Sequence, residues 1–205
     1  MDWNPSTGPT PEGYYMGTDA ILGDLIDSSG EQSNYWITGG AGSGKSYFLQ
    51  TLKMFRDNMV IVAPTGVAAL NVGGMTAHKT FGLSFGISNP ASLDQATIGK
   101  GKRVLKSKHT KTLVIDEISM VRADKFWEMD CRLRALRRCN KPFGGLQVIV
   151  IGDFFQAAPI VANNEKFLFQ QFWPDGELCF NTQVWKDLNF RRVILTDSKR
   201  QQSVN

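Results

Sequence analysis

A glycine-rich loop that ends in a lysine and a hydroxyl residue has the composition of a phosphate-binding loop. Residues 39–46 fit the spacing G-x-x-x-x-G-K-[ST], in which glycines let successive N–H groups point inward at a phosphate. Lys45 would reach the β- and γ-phosphates, and the Ser46 hydroxyl would be a ligand of Mg²⁺. We therefore expect ATP and Mg²⁺ to bind here. The candidate nucleotide-binding residues are Gly39, Gly40, Ala41, Gly42, Ser43, Gly44, Lys45 and Ser46.

Two adjacent acids, Asp116 and Glu117, form the second candidate group and follow an apolar run. Asp116 is placed to hold Mg²⁺, and Glu117 is placed to polarise a water molecule that attacks the γ-phosphate. These separate tasks favour hydrolysis over transfer to a bound acceptor. Without the upstream loop, an Asp-Glu pair would be explained as a solvated turn.

The third candidate is Gln156, within residues 152–159 after another apolar run. Its side-chain amide can donate to a γ-phosphate oxygen and respond when that oxygen leaves. Taken alone, Gln156 is explained equally well as a surface turn residue.

These groups meet only if the strands before them end side by side. Tyr35–Thr38 reads as a strand before the loop, and residues 47–52 read as a helix after it. Near-continuous apolar strands separated by helices predict an α/β fold, with a parallel β-sheet flanked by helices on both faces. The other predicted elements are strands at 60–63, 113–116, 147–151 and 193–196, and helices at 21–26, 67–72, 126–136 and 181–188, the last capped by Asn181.

The composition is that of an ordinary globular chain of 205 residues, 42% hydrophobic and 20% charged. A net charge of +4 is compatible with a polyanionic partner, and three cysteines without metal-ligand spacing fit a reducing compartment. No secretory signal or bilayer-length apolar run is visible, so we expect an intracellular protein without a membrane partner. Residues 1–18 predict an irregular arm, and residues 19–205 a single domain.

The three motifs, in this order, resemble the first RecA-like lobe of superfamily 1 DNA helicases, most closely the Pif family and its RecD-like relatives. Residues 63–69 look like motif Ia of that family, and residues 73–81 look like its T-x-H-x-x-F segment. The resemblance covers roughly residues 33–201 and implies a RecA-like P-loop NTPase lobe. In two places the chain departs from the family. Residues 157–159 are Ala-Ala-Pro instead of Leu-Pro-Pro, and no adenine-reading glutamine motif precedes the loop.

The resemblance implies that Lys45, Glu117, Gln156 and Arg200 are catalytic. Arg200 lies in Lys-Arg-Gln at 199–201, which resembles the next family motif, whose arginine reaches the γ-phosphate. A helicase motor closes its ATP site between two lobes, and the motifs of the second lobe are not found in these 205 residues. We expect a second RecA-like lobe in the same or another chain, and low activity from this chain alone.

By the same resemblance, single-stranded DNA crosses the lobe at Thr65, Gly66, His78, Lys79 and Phe81. The Thr65 hydroxyl and the N–H groups near Gly66 suit phosphates, whereas the other three offer a polar contact, a charge and a stacking face. Two alternatives stay open, since Phe81 could pack in the core and His78 could be buried and hydrogen-bonded.

Two groups of lysines and arginines have less specific functional interpretations. Residues at about 87–110 occupy the place of the strand-separating wedge of the relatives, and the lysines and arginines at 100–111 are either a DNA contact or a solvated face. The second set is best explained as the solvated surface of a helix. It comprises Arg132, Arg134, Arg137, Arg138 and Lys141.

Together these features predict the ATP-binding and ATP-hydrolysing motor lobe of an ATP-dependent DNA helicase. It would act on single-stranded and duplex DNA in replication, recombination or repair, in a nucleus, a mitochondrion or the cytoplasm of a prokaryotic or virus-infected cell. The alternative is a standalone module that binds ATP and single-stranded DNA without unwinding. A small-molecule kinase is disfavoured by Glu117 beside Asp116 and by residues 152–159.

Overall fold

The computed structural model describes residues 33–90 and 101–195, the backbone of residues 15–16, and the helical residues 21, 22 and 25. Its strands in these parts of the chain are β1 Tyr15–Met16, β2 Tyr35–Thr38, β3 Met59–Ala63, β4 Met75–Thr76, β5 Thr112–Ile115, β6 Gln147–Ile151 and β7 Arg191–Ile194. They form one sheet in the order β1-β7-β2-β6-β5-β3-β4, and every pairing is parallel. The predicted fold class is confirmed.

Helices and 3₁₀ turns connect the strands. The helices of the described residues are α1 Lys45–Phe55, α2 Gly66–Asn71, α3 Ala77–Phe81, α4 Arg103–Lys106, α5 Ala123–Arg137, α6 Lys166–Phe172 and α7 Gln183–Leu188. The 3₁₀ turns are Ile118–Met120, Pro142–Gly145 and Cys179–Asn181. Among the described residues, none of these helices is long and apolar enough to cross a membrane.

Two apolar layers cover the sheet, one on each face. In β5 every residue is buried, and alternate side chains enter opposite layers: Leu113 and Ile115 on one side, Val114 on the other. The first layer also contains Phe126 of α5, and the second contains Phe48 of α1. Burial on both faces explains why the central strands read as unbroken apolar runs.

Two expectations from the sequence are wrong in detail. Tyr15 and Met16 are not part of an irregular arm, because their backbone pairs with β7 as an edge strand. A two-residue strand is too short to show periodicity. The helix α7 is capped by Thr182, whose hydroxyl oxygen accepts from the N–H of Trp185 at 3.3 Å, and not by Asn181. Asn181 belongs to the preceding 3₁₀ turn.

Candidate active site

The carboxyl ends of three neighbouring strands deliver the candidate groups to one edge of the sheet. Strand β6 lies between β2 and β5, with Ile37 in register with Ile151 and Ile115 in register with Val150. The next residues along the chain are the phosphate loop, the acidic pair and the third motif. Ligands of open parallel sheets bind at this edge.

The phosphate loop is shaped by glycines that no other residue could replace without strain. Gly39, Gly42 and Gly44 have φ angles of 149°, 78° and 90°. A Cβ atom on Gly39 would lie 2.5 Å from the Ser43 hydroxyl oxygen and 2.7 Å from the main-chain oxygen of Leu195. The loop therefore closes tightly at its base, before α1 begins at Lys45.

The side chains of the loop suit an anionic ligand. Lys45 Nζ donates to the carbonyl oxygens of Gly39 at 2.6 Å and Gly40 at 3.0 Å, which holds the ammonium group over the loop. Within the described residues, the buried Ser43 hydroxyl has no hydrogen-bond partner, while Ser46 at the start of α1 is exposed. A bound triphosphate would supply acceptors to both the ammonium and the hydroxyl groups, so these residues fit ATP.

Asp116 and Glu117 stand at the end of β5, where both are half-buried. Burial and then the negative charge of Glu117 raise the pKa of the Asp116 carboxyl, whereas a hydrogen bond from the main chain of Glu117 and the charge of the Lys45 ammonium lower it; the result is a pKa of about 6. A divalent cation would favour the ionised carboxylate, so the electrostatics of this site fit Mg²⁺.

Glu117 has a left-handed backbone, with φ 51° and ψ 47°. Such a conformation costs about 1–3 kcal/mol in a non-glycine residue and clusters at functional sites. The first residue of the third motif, Gly152, packs against it: a Cβ atom there would lie 3.0 Å from the N atom of Ile118. The second and third motifs therefore meet backbone to backbone.

Gln156 is exposed in the turn after β6, where its Nε2 donates to Asp153 at 3.2 Å. The beginning of the same motif lies beside the phosphate loop, because Asp153 and Phe155 line a cavity of about 380 Å³ together with Gly39 and Gly40. The structure thus brings the third motif to the nucleotide edge. Arg200 lies outside the described residues, and its role stays a prediction.

Four of the five expected DNA contacts lie at the surface or line a cavity. Thr65 and His78 line a cavity of about 280 Å³, and Gly66 and Lys79 are exposed. The Thr65 hydroxyl oxygen already accepts from the N–H of Ala68 at 3.2 Å, which leaves its proton free to donate.

Phe81 is in the wrong place for a stacking contact. It is 0% exposed and packs in the first apolar layer, on the buried side of the short helix α3. The expectation that Phe81 stacks on DNA is therefore wrong, and the alternative of core packing is confirmed. His78 is half-buried; burial and then the charge of Lys125 lower its pKa, so its ring is neutral at pH 7.

Beneath the 280 Å³ cavity lies a buried cluster of charges. Glu128 is fully buried and accepts hydrogen bonds from Ser84, Ser88, Lys125 and Arg132, the shortest at 2.6 Å. Burial alone would raise the pKa of Glu128. The hydrogen bonds from Ser88 and Arg132 and the charge of Lys125 outweigh it and lower the pKa to about 2.

Arg122 joins three segments beside this cluster. Its guanidinium group donates to Asp124 at 2.7 Å, to the carbonyl oxygen of Gly86 at 2.9 Å and to Glu165 at 3.2 Å. It also lies over the ring of Phe169, 5.3 Å from the centroid. The Arg122 side chain therefore connects three segments: the loop at 84–88, the start of α5, and α6.

The sequence suggested that five basic residues form a solvated helix surface, but this holds only for Arg138 and Lys141, which are exposed. The three arginines within α5 have partners in the protein. Arg132 is 1% exposed and paired with Glu128, and Arg134 pairs with Asp130 at 2.7 Å. Arg137 donates to main-chain oxygens of neighbouring loops. Packing of the 142–145 turn and of α4 against α5 covers this side of the helix.

Comparison with known proteins identifies the chain at the level of a family. The model of the family described as PIF1-like helicase matches residues 18–205. This chain belongs to the PIF1-like helicases.

Curated relatives in the family are much longer than this chain. It is 33% identical to the ATP-dependent DNA helicase RRM3 of Saccharomyces cerevisiae, over 84% of this chain and 24% of RRM3. It is 38% identical to the ATP-dependent DNA helicase PIF1 of Homo sapiens, over 74% of this chain and 22% of that protein. The chain therefore spans about a quarter of these relatives.

Solved structures of the family have the same fold. The structure of Bacteroides sp Pif1 in complex with ADP-AlF4 matches 90% of this chain and 42% of its own length, with a TM-score of 0.78 and 38% identity. Bacteroides Pif1 in complex with ADP-AlF3 and ssDNA matches 95% of this chain and 43% of its own length, with a TM-score of 0.77 and 35% identity.

Two features of this PIF1-like chain escaped the sequence analysis. Phe85, four residues after Phe81, is 93% exposed and lines the 280 Å³ cavity. Nothing in a single sequence distinguishes an exposed Phe from a buried one in so short a helix and loop. The ion cluster around Glu128 also gave no signal, because alternating charges on a helix normally indicate a solvated face.

Proposed function

We propose that this chain binds and hydrolyses ATP as the motor lobe of an ATP-dependent DNA helicase in replication, recombination or repair. The observation that carries this proposal is the convergence of the phosphate loop, the acidic pair and the third motif at the ends of β2, β5 and β6. Membership of the PIF1-like helicases supports the choice of DNA over other partners.

Each residue then has one task. The loop N–H groups and Lys45 bind the β- and γ-phosphates, and Ser46 and Asp116 hold Mg²⁺, which neutralises phosphate charge when bound. Glu117 accepts a proton from the water that attacks the γ-phosphate, and Gln156 donates to a γ-phosphate oxygen. The left-handed backbone of Glu117 supports the role of Glu117 as proton acceptor, because it fixes the direction in which the side chain leaves the main chain.

Single-stranded DNA is the proposed partner of the face that carries Thr65, Gly66, His78 and Lys79. Structures of Bacteroides Pif1 with ssDNA support single-stranded DNA as the class of partner. Hydroxyl, N–H and ammonium groups bind phosphates without reading the base sequence, which suits a motor that must pass every sequence.

We also propose that hydrolysis is completed by Arg200 and by an arginine of a second RecA-like lobe, in the same or another chain. Charge that develops on the transferred phosphoryl group is stabilised by such arginines, with rate effects of roughly 10³–10⁵ in phosphate-loop enzymes. The site of action is inside a cell, where ATP and DNA are both present.

A comparison of the wild type with Glu117→Gln tests the function. The amide cannot accept a proton from water, so Mg²⁺-dependent ATP hydrolysis, measured with and without single-stranded DNA, is expected to disappear. Binding of a fluorescent ATP analogue is expected to persist. The matched control is Glu177→Gln, which removes an exposed carboxylate elsewhere.

Two results would contradict this assignment. Unchanged hydrolysis in Glu117→Gln would remove Glu117 from the reaction. A wild type that binds no ATP analogue would contradict the nucleotide site as a whole.

A further inference from the structure

The aromatic ring of Phe85 is almost fully exposed to solvent. It is 93% exposed, in the loop that follows α3, and its ring stacks against the His78 ring with centroids 6.0 Å apart and planes inclined by 22°. This offset contact covers little of the Phe85 ring. Its neighbour Gly86 is held by Arg122, so the loop that presents the ring is fixed at its base.

The ring borders a cavity with apolar walls. The cavity of about 280 Å³ is lined by His78, Phe85, Met120, by Pro159 at the end of the third motif and by Ile160, the residue after it. Ile160 is itself 79% exposed. Small-molecule pockets have volumes of roughly 300–1,000 Å³, so this one has room for a single flat ring and not for a stretch of nucleotides.

The charges that line the cavity also indicate which kind of ligand it can hold. The two cations at this cavity, Arg122 and Lys125, are already paired with the buried carboxylates Asp124 and Glu128. A phosphate would therefore find no uncompensated positive charge among the described residues of this cavity. An uncharged aromatic group would contact the rings of His78 and Phe85 that line the cavity.

We propose that Phe85 and His78 form a stacking platform that takes one unstacked base of single-stranded DNA into this cavity. The proposal rests on the DNA-binding function proposed above and names the residue that holds a base. Stacking on a ring is tolerant of sequence because every base has a π-face. The neutral His78 ring adds a second aromatic surface without attracting a phosphate.

The test compares a fluorescent dT oligonucleotide with an abasic oligonucleotide of the same length, which carries the same phosphates and no bases. By anisotropy, the wild type is expected to bind the dT strand more tightly than the abasic strand. Phe85→Ala is expected to weaken binding of the dT strand about 5- to 150-fold and to leave abasic binding unchanged. Phe85→Trp should restore the preference for bases.

The matched control is Phe55→Ala, which removes another exposed Phe at the end of α1 and should change neither affinity. Equal dT affinities for wild type and Phe85→Ala would overturn the stacking platform while leaving DNA binding intact. Parallel losses on the dT and abasic strands would also overturn it, since Phe85 would then only shape the loop. A wild type that binds neither strand would contradict the DNA-binding function itself.

Discussion

The ammonium group of Lys45 already occupies the phosphate loop. It is held by the carbonyl oxygens of Gly39 and Gly40, so little rearrangement is needed before a triphosphate replaces those two acceptors. A side chain held in place in this way loses less conformational entropy when the ligand binds.

Lys45→Ala is expected to remove most of the affinity for ATP, because the compact positive charge facing the β- and γ-phosphates is lost. Titration of a fluorescent ATP analogue measures the change. Lys53→Ala is the control: Lys53 lies on the same helix and also donates to a carbonyl oxygen, that of Val72 at 2.8 Å, but it lies outside the loop. Equal affinities in all three proteins would refute the phosphate-loop assignment.

At the scale of elements, α5 carries both apolar core residues and buried ion pairs. One face carries Phe126, Met129 and Leu133 into the first apolar layer, as their spacing predicted. Another face buries Glu128 between Lys125 and Arg132. A buried ion pair contributes little over an apolar pair, but removing one partner leaves an uncompensated charge.

Glu128→Gln is therefore expected to lower the free energy of unfolding by about 3–5 kcal/mol at pH 7. The pKa of Glu128 is about 2 in the folded chain against an ordinary 4.5, so its stabilisation is complete above pH 4.5 and is lost as pH falls from 4.5 to 2. Urea unfolding of both proteins at several pH values measures the difference, with Glu177→Gln as the exposed control. A difference that stays constant down to pH 2 would contradict the ionised, buried carboxylate.

Phe81→Ala is expected to destabilise the fold by about 3–5 kcal/mol, since it removes a fully buried ring from the first apolar layer. Phe85→Ala, in the following loop, should leave stability nearly unchanged because its ring is exposed. Denaturant unfolding separates the two. Equal stabilities of the two variants would mean that Phe81 does not attach α3 to the core.

The sequence predicts well what depends on local pattern. The phosphate loop, the strand ends that carry Asp116 and Gln156, and the apolar face of α5 all follow from spacing and periodicity. Prediction from the sequence fails where tertiary packing determines whether a side chain is buried. Phe81, in α3, is buried in the core, whereas Phe85, in the following loop, is exposed, and Arg132 is buried beside Glu128.

At the scale of the molecule, binding to single-stranded DNA is expected to be weak and dependent on salt. Each phosphate neutralised by Lys or Arg contributes a slope of about −0.7 to the plot of log K against log salt. Lys79→Ala, at an exposed position of the proposed DNA face, should reduce that slope by one such step, whereas Lys186→Ala on α7 should not. Anisotropy at several salt concentrations measures both. An affinity independent of salt would exclude a face that follows phosphates.

The third motif lines both proposed ligand sites. Its beginning, at Asp153, lies beside the phosphate loop, and its end, at Pro159, lies in the wall of the 280 Å³ cavity. If ATP shifts this segment, the affinity for the strand changes by some factor, and thermodynamic reciprocity requires the strand to change the affinity for ATP by the same factor. A measured ratio of ATP affinities with and without DNA therefore gives the factor by which bound ATP strengthens or weakens binding of the strand.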